Sequence, residues 1–152
     1  MLPTPKKFKI VAAAAEGKQK LTAFDNALLA AGIGNVNLVR ISSILPPSAE
    51  QDQELVLPPG SLVPTAYGSI VCDEPGMRIA AAVGIGFSAD TFGVIMEYSG
   101  TCSKGEAEEK IKRMLEEAFA SRGMPLVKTE IRSVEHTVRS VGCAFAAVAL
   151  WY

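Results

Sequence analysis

Apolar residues along this chain fall into short runs separated by Gly, Pro and small polar clusters, and two stretches carry helical spacing. Phe8-Lys9-Ile10-Val11 and the alanines after it predict a first strand. Leu21, Phe24, Leu28 and Ala31 then recur three or four residues apart, which puts them on one face of a helix. Thr22 and Asp25 have the spacing of an N-cap pair, which would make Asp25 an N3 residue against the positive end of the helix dipole. Gly32 is where that helix should stop. A second strand is expected over residues 35–44. Residues 46–64 hold Pro46, Pro47, Pro58, Pro59 and Pro64 around a polar stretch. So many missing backbone donors predict an exposed connector rather than a sheet interior. Strands are expected next over residues 66–72, 78–87 and 92–98. Ser103 and Glu106 form a capping box for a second helix, whose apolar face is Ile111, Met114, Leu115, Ala118 and Phe119. Gly123 and Pro125 end it. The strands at 126–139 and 143–151 close the chain, the last so apolar that it should be central. Two helices against about seven strands, without internal repeats, predict an α+β fold: an αββα-type layered sandwich of antiparallel or mixed sheets.

Composition narrows the function classes. The 152 residues are 49% hydrophobic, enough for one domain (1–152) that buries about two-thirds of its unfolded surface. A formal net charge of −1 without a basic stripe argues against a nucleic-acid partner. No apolar run reaches about 18 residues, so no membrane span is expected. The first residues lead into a strand rather than a signal peptide, and the expected location is cytoplasmic. Cys72, Cys102 and Cys143 form no CxxC pair, as befits reduced thiols rather than a zinc site. His136 is the single histidine, and no metal role is expected of it. Gly32-x-Gly34 precedes a strand rather than opening a helix, which excludes a dinucleotide loop.

The candidate chemistry lies at Ser42-Ser43, after the apolar run 36–41 and before Leu45-Pro46-Pro47. A hydroxyl on Ser43 can attack the Ser42 carbonyl and convert the amide to an ester. β-Elimination then leaves dehydroalanine, and hydrolysis turns residue 43 into a pyruvoyl group. The surroundings make this more than a common dipeptide. The blocks Leu21-Thr22-Ala23-Phe24-Asp25-Asn26-Ala27-Leu28-Leu29, Gly32-Ile33-Gly34-Asn35-Val36-Asn37 and Arg40-Ile41-Ser42-Ser43-Ile44-Leu45-Pro46-Pro47 are similar to the pyruvoyl-dependent arginine decarboxylases. The likeness continues through Leu62-Val63-Pro64-Thr65-Ala66-Tyr67-Gly68, Gly93-Val94-Ile95-Met96-Glu97-Tyr98, Cys102-Ser103-Lys104 and the final Val134-Glu135-His136-Thr137 and 142–152 segments.

That resemblance implies a precursor cut between Ser42 and Ser43 into a β chain (1–42) and an α chain (43–152). The cofactor would be a pyruvoyl group derived from Ser43, with neither a metal nor pyridoxal phosphate. L-Arginine would condense with it as a Schiff base and leave as agmatine and CO2, feeding polyamine biosynthesis. Glu97 matches the family's proton donor, and Asn37 a donor to the oxyanion of the cleavage step. Asp25 matches the residue that pairs with the substrate guanidinium. Leu21 and Leu28 match pocket-lining positions, and Gly34 and Val36 match backbone contacts to substrate. The family pattern implies a homotrimer with active sites between adjacent subunits, open to higher assembly. The short N-terminal arm and the 48–57 loop depart from the family and are expected to stay clear of the chemistry. Two other functions remain open to this sequence: decarboxylation of a different amino acid, and an unprocessed, non-catalytic trimeric homologue.

Overall fold

In the computed structural model, which describes residues 2–152, a mixed and an antiparallel β-sheet stack face to face and each carries one helix on its outer side. The elements in chain order are β1 (Lys7–Glu16), α1 (Lys20–Ala30), β2 (Asn37–Arg40), β3 (Ile44–Leu45), β4 (Glu50–Gln51) and β5 (Leu62–Cys72). Then come β6 (Arg78–Phe87), β7 (Gly93–Gly100), α2 (Lys104–Ser121), β8 (Lys128–Thr137) and β9 (Gly142–Trp151). One sheet has the order β2-β5-β9-β1-β4 and the other β3-β7-β6-β8. The β1–β4 and β2–β5 pairs are parallel and the remainder antiparallel. This is the α+β, αββα-layered architecture that the apolar pattern predicts.

Alternation explains the layering. Phe8, Ile10, Ala144, Ala146 and Val148 point to the inter-sheet core, where they meet Ile79, Ala81, Val83, Ile85 and Ile95. The intervening residues Cys143, Phe145 and Ala147 face Ala23, Ala27 and Leu28 of α1. On the other outer face, Ala80 and Ala82 meet Ala107, Ile111 and Leu115 of α2. Strand β9 is covered on both sides and lies between β5 and β1, so its continuous apolar run reflects a central position. The capping box of α2 forms as expected: the Glu106 backbone N–H donates to Ser103 Oγ (3.1 Å), and the Ser103 N–H donates to Glu106 Oε1 (3.2 Å).

Four expectations need correction. Helix α1 starts three residues earlier than the Thr22–Asp25 spacing implies. Gln19 is the N-cap and Thr22 is N3, its Oγ1 accepting from the Gln19 N–H at 3.0 Å. Asp25 therefore lies in mid-helix, beyond the first turn where the dipole acts. Strand β5 begins at Leu62 and passes through Pro64. It tolerates that proline because its pairing with β9 starts only at Thr65, so no ladder bond is lost. The proline-rich connector contributes a short edge strand, β4, beside β1. Finally, the strand expected over 35–44 is two strands in different sheets. Strand β2 belongs to the first sheet and β3 to the second, and the serines lie in the crossing between them.

Candidate active site

The crossing is fixed at both ends. The Ile41 N–H donates to the Thr65 carbonyl of the first sheet at 3.1 Å, and the Ser43 carbonyl accepts from the Ile95 N–H of the second at 2.7 Å. The Ser42–Ser43 peptide thus spans the seam where the sheets meet, outside either ladder, with Ser42 exposed and Ser43 half-buried. A cleft of about 350 Å³ runs past it, lined among others by Leu2, Pro3, Ile41, Ile44, Pro64 and Tyr152. The N-terminal arm does border the site, contrary to the sequence-based expectation.

Glu97 lies on the same side of β7 as Ile95, two residues past the one that anchors Ser43, an advance of about 7 Å along the strand. It reaches the seam because Gly68 of β5 has no side chain: a Cβ there would stand 3.3 Å from Glu97 Cβ. Ser99 Oγ donates to the Ser69 carbonyl at 2.9 Å and ties the two sheets together one step further on. Burial pushes the Glu97 carboxyl above the usual carboxylate range, and the positive charge of Arg40 opposes that rise. A half-buried carboxyl with this bias is suited to holding and releasing a proton.

The remaining expected residues do not gather at this seam. Asn37 opens β2, and its side-chain amide donates to the Gly60 carbonyl at 3.1 Å. Four residues of extended chain separate it from Ile41, about 13 Å, so it lies well away from the cleavage bond of its own subunit. Gly34 and Val36 line a separate cleft of about 260 Å³ with Leu29, Leu55, Leu57 and Pro59. Part of the 48–57 loop thus borders expected substrate positions, which the sequence did not anticipate. Asp25 is exposed on α1 and makes no ion pair among the described residues. Leu21 is 76% exposed whereas Leu28 is closed into the core beneath α1, so within one chain they do not line a common pocket.

Arg40, Tyr67 and Gly68 are site neighbours that sequence reasoning did not single out. The signal for Arg40 was its charge inside an otherwise apolar strand, two residues before Ser42. A larger cleft, about 710 Å³ around Glu16, Lys18, Gln19, Thr22, Asn26 and Arg139, is wide open and contains none of the expected site residues. Among the described residues no group of three or more His, Cys, Asp or Glu could hold a metal ion, and no helix is long and apolar enough to cross a membrane.

Fold and seam together define a layered α+β sandwich that carries a serine pair and a half-buried carboxylate where its two sheets meet. The family model for pyruvoyl-dependent arginine decarboxylase matches residues 7–152. A pyruvoyl-dependent arginine decarboxylase of Methanocaldococcus jannaschii is 53% identical over 150 residues, covering 97% of this chain and 91% of the relative. Relatives of the same description from Pyrococcus furiosus and Thermococcus kodakarensis are 51% and 49% identical, each covering 98% of this chain and 96% of their own length. The chain belongs to the pyruvoyl-dependent arginine decarboxylase family.

Proposed function

We propose that this protein is a cytoplasmic pyruvoyl-dependent arginine decarboxylase that converts L-arginine to agmatine and carbon dioxide for polyamine synthesis, and that it matures by cutting itself between Ser42 and Ser43. The observation that carries this reading is the Ser42–Ser43 peptide strung between two sheets, with Glu97 two residues from its anchor on β7.

Self-cleavage needs no reagent beyond the protein and water. Ser43 Oγ adds to the Ser42 carbonyl carbon, the C–N bond breaks, and residue 43 keeps a free amine and an ester to residue 42. Removal of the residue 43 Cα proton expels residue 42 as a carboxylate. One water then replaces the residue 43 nitrogen, which leaves as ammonia. A peptide outside the ladder can twist toward this attack without breaking sheet hydrogen bonds. An oxyanion donor such as Asn37 can contribute about 3 kcal/mol to such a step.

The seam fits a ketone at position 43. The carbonyl of that residue is held by Ile95, an open cleft adjoins it, and the expected acid, Glu97, is a carboxyl whose pKa burial raises. Once formed, the pyruvoyl group supplies an electron sink for the charge left when carbon dioxide departs. The side chains do the rest. Glu97 delivers a proton to the substrate α-carbon. Asp25, exposed and without an ion-pair partner among the described residues, offers two oxygens to the planar guanidinium fork. Gly34 and Val36 present backbone at the cleft that receives the substrate, and Leu28 seats α1 while Leu21 faces outward.

These groups meet only if subunits share a site. In one chain Asp25, Asn37, Gly34 and Val36 stand apart from Ser43 and Glu97. The elements carrying both sets expose large apolar side chains, with Leu21 and Leu29 on α1, Val39 on β2 and Ile44 on β3. A homotrimer with sites between neighbours covers this surface and joins the two halves. Release of labelled CO2 from carboxyl-labelled arginine tests the activity; its absence from fully cleaved protein, with release from another amino acid, would transfer the reading to that substrate.

A further inference from the structure

The edge of β5 that faces β2 presents a carbonyl on every second residue. Thr65 offers one, which Ile41 takes; the next along the same edge belongs to Tyr67. Had β2 continued in register, the Ser43 N–H would claim it. The chain instead turns to the other sheet, and the Tyr67 carbonyl accepts from Arg40 Nη2 at 2.7 Å. The same guanidinium lies over the Tyr67 ring, 4.3 Å from its centroid. That ring is fixed from beneath by Phe145 and Phe24, at centroid distances of 5.5 and 6.3 Å.

We propose that Arg40 is a positioning residue for self-cleavage. By taking the Tyr67 carbonyl in place of the Ser43 N–H, it stops β2 and keeps the Ser42–Ser43 peptide in the seam, where the Ser43 hydroxyl can reach the Ser42 carbonyl. A side chain is needed because the acceptor is a sheet-edge carbonyl whose natural partner is the next backbone N–H of the neighbouring strand. Leaving that carbonyl open would invite β2 to extend by two residues. Ser43 would then be drawn into the first sheet, its bond to Ile95 would break, and its peptide would be held planar and extended. Arg40 has the reach and the rigid donor fork to prevent this, and its stacking on Tyr67 holds the fork in place.

This inference rests on the Ser42–Ser43 processing reading, and two experiments separate their failures. In the uncleavable Ser43→Ala precursor, the residue 43 amide should exchange freely with solvent. Adding Arg40→Met, which retains an apolar stem over Tyr67 but removes the donor, should protect that amide at least tenfold. Unchanged exchange would overturn the role of Arg40 whether or not the chain ever cleaves. In the cleavable chain, Arg40→Met should slow the appearance of the two fragments by an order of magnitude or more at an unchanged unfolding temperature. Arg40→Lys, which restores one donor, should fall between it and the unmodified protein. Cleavage of Arg40→Met at the unmodified rate, or slowing that merely follows loss of fold in both variants, would refute the proposal. A chain with Arg40 intact that never cleaves would instead refute the processing reading, which the exchange measurement does not need.

Discussion

Glu97, the proposed proton donor, illustrates how little of such a role lies in residue identity. It is an ordinary carboxylate whose pKa is raised by burial beside Gly68, against the opposing charge of Arg40. Because its pKa is raised, the protonated form persists above the usual carboxylate range and is lost as pH climbs through the shifted value. Turnover should therefore fall on the alkaline side. Glu97→Gln should leave kcat about 10²–10⁴-fold lower and remove the part of that decline owed to this group; an unchanged pH–rate profile would deny Glu97 the proton. Asp25→Asn should lower kcat/KM for arginine on the order of 10- to 100-fold, the worth of one charge-assisted pairing, measured with protein of equal cleavage. At this scale the candidates Ser42, Ser43, Glu97 and Asp25 could be named from the sequence through motif resemblance, as proposals. Arg40 could not, because its task depends on where a strand stops, which is decided by a carbonyl 27 residues away.

Among the elements, the segment 35–44 teaches the most. Its apolar pattern reads as one strand, and its local propensity is satisfied in either sheet. What splits it is competition between two edges, Thr65 on one side and Ile95 on the other. No local pattern reports that contest. The single histidine makes the same point. His136 Nε2 lies 2.6 Å from Glu16 Oε2, a contact spanning 120 residues that clasps the end of β8 to the end of β1. Glu16 also accepts from the Ser140 N–H at 2.8 Å and the Arg139 N–H at 3.3 Å. Burial opposes ionisation of Glu16, yet these hydrogen bonds together with the His136 charge hold its pKa below the ordinary value. A depressed carboxylate stabilises the fold above its unfolded pKa, and that contribution disappears as pH falls through the folded value. Glu16→Gln should thus cost about 1–2 kcal/mol near neutrality, with the gap in unfolding temperature closing below the normal carboxylate range. A gap that stays constant into acid would show that the carboxylate charge is irrelevant to the clasp.

For the whole molecule, the layer order was readable from sequence because two amphipathic helices and a doubly buried final strand leave few other ways to cover two sheets. A site shared between subunits was an implication of the family resemblance and not of the apolar pattern, because no pattern within one chain reports how copies of it meet. A shared site makes a specific prediction about mixtures. Trimers assembled from both Asp25→Asn and Glu97→Gln subunits should recover a substantial fraction of activity, because some interfaces then contain neither substitution. Co-expression and assay against each variant alone measures this, and failure of mixed trimers to exceed the single variants would mean that each chain works by itself.

The central claim is a covalent one, that the seam peptide cuts itself and leaves a ketone on residue 43. The intact mass of the purified protein tests it most directly. Two species are expected: residues 1–42 ending in a free carboxylate, and residues 43–152 lighter by one ammonia than simple hydrolysis would leave them, with no amino terminus open to Edman degradation. A single uncut chain after prolonged incubation, or a 43–152 fragment beginning with an intact serine, would contradict it.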